Sequence, residues 1–128
     1  MRLLLDTHAM IWLGQNDPRL SGAVVAAVLD ESNEVFASAV SAMEIATKHR
    51  IGKLPEAHVL AARFEIETEA AGYYPLPVSL THARVAGSLE IPHKDPFDRL
   101  LIAQAMVEDL TLVSNETIFD GFGVKRLW

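Results

Sequence analysis

The chain has 128 residues, half of them hydrophobic and 22% charged, with a formal net charge of −6. That length suits one domain with a real core rather than two, and the acidic balance excludes a broad basic surface of the kind that coats nucleic acid. No apolar run reaches the roughly 20 residues that span a bilayer, and the absence of cysteine excludes disulfides and thiolate metal sites.

Taken in chain order, Arg2-Leu3-Leu4-Leu5 is a short continuous apolar run, the pattern of a strand buried on both faces. Its leucines fall short of the apolar stretch of roughly 7–15 residues in a secretory signal, so a mature, cytoplasmic chain is expected, with no membrane partner. Residues 9–13 have helical character and stop at Gly14, and Asn16-Asp17-Pro18 is a turn. Ser21 caps a helix over residues 22–30, apolar at Val24, Val25, Val28 and Leu29. Val35-Phe36-Ala37 reads as a second strand.

A helix over residues 40–50 follows, with Ser38 or Ser41 near its start and Gly52 as its stop. Lys48, His49, Arg50 and Lys53 suit the negative end of its dipole. Pro55-Glu56 opens a long helix to residue 71, closed by Gly72. Residues 74–78 are extended but proline-rich, which places them at a sheet edge. Ser79 or Thr81 caps a helix to residue 89, and Asp95 starts the last long helix, to residue 108. Residues 111–113 and 124–127 supply the last strands, with Gly121 and Gly123 turning the chain between them. Short apolar strands alternating with helices predict a parallel sheet covered on both faces, a three-layer α/β/α domain over residues 1–128.

In such a fold, ligands bind outside the carboxyl ends of the strands, where the strand order reverses. Asp6 ends the first strand, and Glu116 falls three residues after Val113. Asp98 lies in the first turn of one helix and Glu44 in the first turns of another. First-turn side chains project back toward the helix N-terminus, so these four acids can share one crevice. Two carboxylates 4 Å apart repel by about 4 kcal/mol at an effective dielectric near 20, so a cluster needs a cation. Each acid also has a plain structural reading. Asp95 before Pro96, with Asp98 behind it, is ordinary helix-start chemistry. Asp6 can be a cap, and Glu116 can sit idle in a polar turn. Glu44 is harder to place, because Ala42, Met43, Ile45 and Ala46 surround it and a carboxylate among apolar groups is costly unless paired.

Four stretches, "LLLDTHAMIWL", "SAVSAMEIATKHRIGKL", "HKDPFDRLLIAQA" and "LTLVSNETIFDGFGVKRLW", resemble in order and spacing the PIN-domain proteins, specifically the VapC-like toxins of type II toxin–antitoxin systems. The resemblance covers essentially the whole chain. It implies a PIN-like fold and an endoribonuclease dependent on Mg²⁺ or Mn²⁺ that hydrolyses RNA phosphodiesters with a metal-activated water. It also implies a cognate antitoxin as partner and a homodimer. On this likeness Asp6, Glu44 and Asp98 are the catalytic, metal-holding acids. Glu116 stands where the family usually has aspartate, and its extra methylene favours a contact through water. Asp95 and Ser114 support the site from behind, as cap and hydroxyl. Lys94, Arg99 and Lys48 are candidates to hold the RNA backbone. The five histidines, His8, His49, His58, His82 and His93, show no metal-ligand spacing, and surface or packing roles are expected for them.

Two other readings remain at this point. A phosphatase or receiver-type domain also carries an aspartate after its first strand, but the phosphatase pattern needs a second aspartate where this chain has His8. A non-catalytic PIN-like binding module would keep the acids only for folding.

Overall fold

In the computed structural model, which describes residues 1–128, the first strand, β1 (Arg2–Leu5), occupies the middle of a five-stranded sheet. The others are β2 (Glu34–Ser38), β3 (Tyr74–Leu76), β4 (Thr111–Val113) and β5 (Arg126–Leu127), in the order β3-β2-β1-β4-β5. Every neighbouring pair is parallel, with Leu4 aligned to Phe36 on one side and to Leu112 on the other.

Because side chains alternate along a strand, β1 feeds two cores. Leu3 and Leu5 join Val35, Ala37 and Val113 on one face. There they meet Met10, Ile11 and Trp12 of α1 (Thr7–Gln15) and Val24 and Ala27 of α2 (Gly22–Leu29). Leu60 and Phe64 of α4 (His58–Ala70) pack onto that cluster. On the other face Leu4 and Leu112 meet Leu101, Ile102 and Ala105 of α6 (Pro96–Val107). The helix α3 (Ala39–Arg50) contributes to both, through Ile45 and Val40. All three β1 leucines are completely buried, each stabilising the fold by about 1.5–3 kcal/mol. The three-layer parallel-sheet fold expected from the sequence is the one observed.

Several boundaries differ, each for a local reason. The first helix begins at Thr7 rather than Ala9, because the Asp6 side chain accepts the Ala9 N–H and starts the helix earlier. It also continues past Gly14 to Asn16, which adopts a left-handed φ of 51° and closes the helix. In α2 Val24 and Ala27 are buried and Val28 packs against the core at its edge, while Leu29 is 74% exposed. A 3₁₀ turn, Pro55–Ala57, precedes α4, and α4 is kinked at Arg63, with Val59 and Ile66 left exposed. Gly121 lies within a second 3₁₀ turn, Thr117–Phe122, so the reversal into β5 falls to Gly123 alone, at φ 78°. No helix is long and apolar enough to cross a membrane.

One polar chain runs through the buried interior beside α5 (Leu80–Ser88). The Ser38 hydroxyl donates to Gln104 Oε1, and Gln104 Nε2 donates to the Pro77 carbonyl at 3.3 Å. His82 Nδ1 accepts the Ser79 N–H at 3.0 Å, which leaves the proton on Nε2 for Glu108 at 2.8 Å. Replacing completely buried Gln104 by leucine strands the Ser38 hydroxyl and the Pro77 carbonyl. Gln104→Leu is therefore expected to cost about 1–3 kcal/mol, read as a lower urea midpoint at unchanged slope.

Candidate active site

The chain leaves β1 toward β2 and returns on the opposite side of β1 at β4, so the strand order reverses between β1 and β4. The crevice at the carboxyl ends of these two strands is where this class of fold binds ligands. Asp6 stands at that edge. Its N–H extends the ladder to the Val113 carbonyl at 3.0 Å, and its carbonyl accepts the Met10 N–H, the first bond of α1. Its carboxylate accepts the Ala9 N–H at 2.8 Å, which fixes the side chain over the start of the helix.

The Asp6 carboxyl is only 7% exposed. Burial pushes its pKa up from 3.8 to about 6, against the lowering effect of hydrogen bonds from the Ser114 hydroxyl and the Ala9 N–H. The nearby His8 also favours the charged form, and the charge of Asp98 opposes it. Ser114, completely buried at the end of β4, holds its position by donating its N–H to the Leu127 carbonyl and accepting the Glu116 N–H. The Ser114 side chain lies near enough to Asp6 to favour its charged form.

Thr7, next along the chain, joins this edge to α3. Its hydroxyl donates to Glu44 Oε1 at 2.6 Å and lies 3.1 Å from the Ser41 hydroxyl. Ser41, Glu44 and Lys48 share one face of α3 by helical spacing. Glu44, 4% exposed, is ion-paired on its other oxygen by the Lys48 ammonium. Burial alone would lower the pKa of Lys48, but the hydrogen bond and charge of Glu44, joined by Asp95 and Asp98, raise it instead. Lys48 thus already serves as a cation among the acids, a role different from a free ammonium waiting for phosphate.

The first turn of α6 supplies the remaining acids. Asp95 is the cap, accepting the N–H groups of Phe97 at 2.8 Å and Asp98 at 3.1 Å. The Asp98 side chain is therefore not needed for capping. Its pKa is raised, first by burial and then by the charges of Asp95 and Glu44, while a hydrogen bond from His93 works in the opposite direction. His93 Nε2 lies 2.7 Å from Asp98 Oδ2. The sequence places His93 beside the proposed site but favours a surface or packing role for it, and the contact with Asp98 goes beyond that expectation.

One expectation needs correction. Arg99 is not free for a substrate: its guanidinium donates to the carbonyls of Ala86 and Gly87 at the end of α5 and of Leu89, Ile91 and His93 in the loop ahead of α6, clamping the two together. Glu116 is exposed, and its backbone N–H donates to the Ser114 hydroxyl, which leaves its carboxylate in water. Lys94 is exposed, as a cation awaiting a polyanion would be.

The four acids do not form a ready-made cage, for no three acid or histidine side chains converge closely enough to hold an ion. Asp6 and Asp98 feel each other's charge, and Glu44 is tied in through Thr7. Mg²⁺ takes only oxygen ligands, commonly one or two carboxylates with several waters. The oxygen-only donor set of Asp6 and Asp98, neither ion-paired by a lysine or arginine, fits that requirement without a third ligand.

The PIN-domain family model matches residues 3–125. The chain belongs to the PIN-domain family. The PIN fold here is also similar to several solved structures. A chain of VapBC2 from Rickettsia felis, bound to a fragment of promoter DNA, aligns with TM-score 0.73 at 17% identity, covering 100% of this chain and 99% of that one. DNA-bound VapBC from Salmonella typhimurium gives 0.70 at 17% identity, covering 99% and 97%. FitAcB from Neisseria gonorrhoeae gives 0.68 at 22% identity, covering 98% and 96%. No match is found among curated proteins.

The raised pKa of Asp6 carries a stability consequence. A carboxyl whose folded pKa lies above its unfolded one contributes stability that is complete below about pH 4 and is lost as pH rises through about 6. A shift from 3.8 to about 6 corresponds to roughly 3 kcal/mol at neutral pH. Asparagine still caps a helix but carries no charge. Asp6→Asn is expected to be more stable than wild type at pH 7.5 in chelator, by up to that amount, and no more stable at pH 4. Urea unfolding at the two pH values reads the difference.

Proposed function

We propose that this PIN-domain protein is a divalent-metal-dependent endoribonuclease, the toxin of a toxin–antitoxin pair, with Mg²⁺ or Mn²⁺ as its cofactor. The observation that carries this reading is buried Asp6 at the reversal of strand order, with partly buried Asp98 of α6 near enough for its charge to reach it. A divalent ion bound there would neutralise both acids, polarise a phosphodiester and activate water.

The chain's own residues prepare the site for that chemistry. Asp6 and Asp98 would hold the ion. Glu44, kept in place by Thr7 and Lys48, stands as the third acid. Ser114 and the Ala9 N–H orient Asp6, and the Asp95 cap fixes the turn that presents Asp98. Exposed Lys94 would draw the RNA backbone toward the pocket. Lys48 would attract phosphate only by loosening from Glu44. Because the net charge is −6, RNA binding should depend strongly on the ion rather than on a basic surface.

The solved neighbours are VapBC and FitAcB assemblies, some of them with DNA. By that likeness we infer a cognate antitoxin for this chain, supplying a basic side chain to the acidic pocket, and a homodimer as its own assembly. Recovery of the tagged protein from its native cells without any small partner would contradict the antitoxin reading.

The nuclease reading is tested by RNA cleavage and thermal melting with and without Mn²⁺. Wild type should cut single-stranded RNA only with metal, and saturating Mn²⁺ should raise its melting temperature. Asp6→Asn and Asp98→Asn should each lower cleavage by a hundredfold or more, on the order of 3 kcal/mol in the barrier, while folding normally. Metal-dependent stabilisation without cleavage would favour the non-catalytic binding module. Cleavage unchanged by Asp6→Asn would indicate a contaminating nuclease.

A further inference from the structure

We infer that His93 is a positioning residue for the ion site: its Nε2–H fixes the carboxylate of Asp98 in the orientation that receives the cation. This rests on the metal-dependent reading above and adds to it a residue from outside the acid set.

The Asp98 side chain has one hydrogen bond in the structure, the 2.7 Å contact from His93 Nε2 to Oδ2. An ionised carboxylate only accepts, so His93 is the donor. With Oδ2 held, Oδ1 is the oxygen left without a hydrogen-bond partner. Without this bond Asp98 could rotate freely about its side-chain torsions. Repulsion from Asp6, Asp95 and Glu44 would then turn it outward to water.

His93 is itself held in place on two sides. Its ring meets Phe119 edge-on, with centroids 5.6 Å apart at 86°, and lies 5.8 Å from Phe122. Its carbonyl accepts from Arg99 Nη1 at 2.9 Å, one of the carbonyls of the end of α5 and the following loop that this guanidinium gathers. Arg99 directly follows Asp98, so the loop bearing the donor is tied to the helical turn bearing the acceptor. The backbones that carry the histidine and the carboxylate are thereby held at a fixed separation. Hydrogen bonds to a ligating carboxylate from behind commonly matter about 10–100-fold in metal affinity.

A packing role for His93 is the competing explanation, and two substitutions separate them. His93→Phe keeps an aromatic ring against Phe119 and Phe122 but has no donor. His93→Gln keeps an N–H at similar reach and loses the ring. Mn²⁺ affinity is measured by calorimetric titration of metal-free protein, with circular dichroism and melting to confirm the fold. Kinetics on single-stranded RNA at saturating Mn²⁺ accompany the titration.

Positioning predicts that His93→Phe binds Mn²⁺ about 10–100-fold more weakly, and that His93→Gln recovers most of the affinity. It also predicts a lower kcat for His93→Phe with little change in KM for RNA. His93→Ala, which removes both features without adding bulk, should match His93→Phe and serves if the phenylalanine variant does not fold. Mn²⁺ affinity in His93→Phe equal to wild type, or His93→Gln as weak as His93→Phe, would overturn the inference. Wild type that binds no Mn²⁺ would overturn it together with the metal-dependent reading. Tight binding by wild type and by His93→Phe alike would overturn it alone.

Discussion

A carboxylate withdrawn from water beside another carboxylate is the constraint on which this site depends. Asp6 emerges from three completely buried leucines and is held by its own backbone to both the sheet and the first helix. It cannot move away from Asp98 without breaking the Val113 ladder bond or the helix start. Its partial relief comes from neutral donors, the Ser114 hydroxyl and the Ala9 N–H, rather than from a neighbouring lysine or arginine. No lysine or arginine ion-pairs Asp6, and that deficit is what a divalent ion would meet.

The cations near the crevice divide the remaining work. Lys48 neutralises Glu44 from the same helix, so the third acid is stable when buried. Arg99 is turned away from the acids entirely and organises backbone carbonyls, work for which a planar fork of five N–H groups is well suited. Neither residue cancels Asp6. A lysine or arginine paired directly with Asp6 would make the fold more comfortable and the site less receptive to metal, which is the usual tension between stability and function.

The fold was legible because its signals are local. An unbroken Leu3-Leu4-Leu5 run announces a two-faced strand, and helices between short apolar strands announce a parallel sheet. Asp6, Glu44, Asp95 and Asp98 were legible because an acid beside apolar residues or at a helix start asks for a reason. What was missed depends on how the chain folds back. The function of Arg99 is decided by where the carbonyls of residues 86–93 point, and no spacing in the sequence encodes that. His93 finds Asp98 only because the clamped loop bends toward the helix. Glu116 follows the strand end as expected, yet the short 3₁₀ turn after it leaves its carboxylate in solvent. Asn16 replaced Gly14 as the first helix's end because asparagine tolerates the left-handed conformation that closes the last turn.

The most direct test is to locate the ion. Anomalous diffraction from crystals soaked in Mn²⁺ should give a peak about 2.0–2.4 Å from both an Asp6 and an Asp98 oxygen. It should also show Asp98 Oδ2 still bonded to His93. A manganese peak bound elsewhere on the surface, with Asp6 and Asp98 untouched at saturating Mn²⁺, would contradict the account.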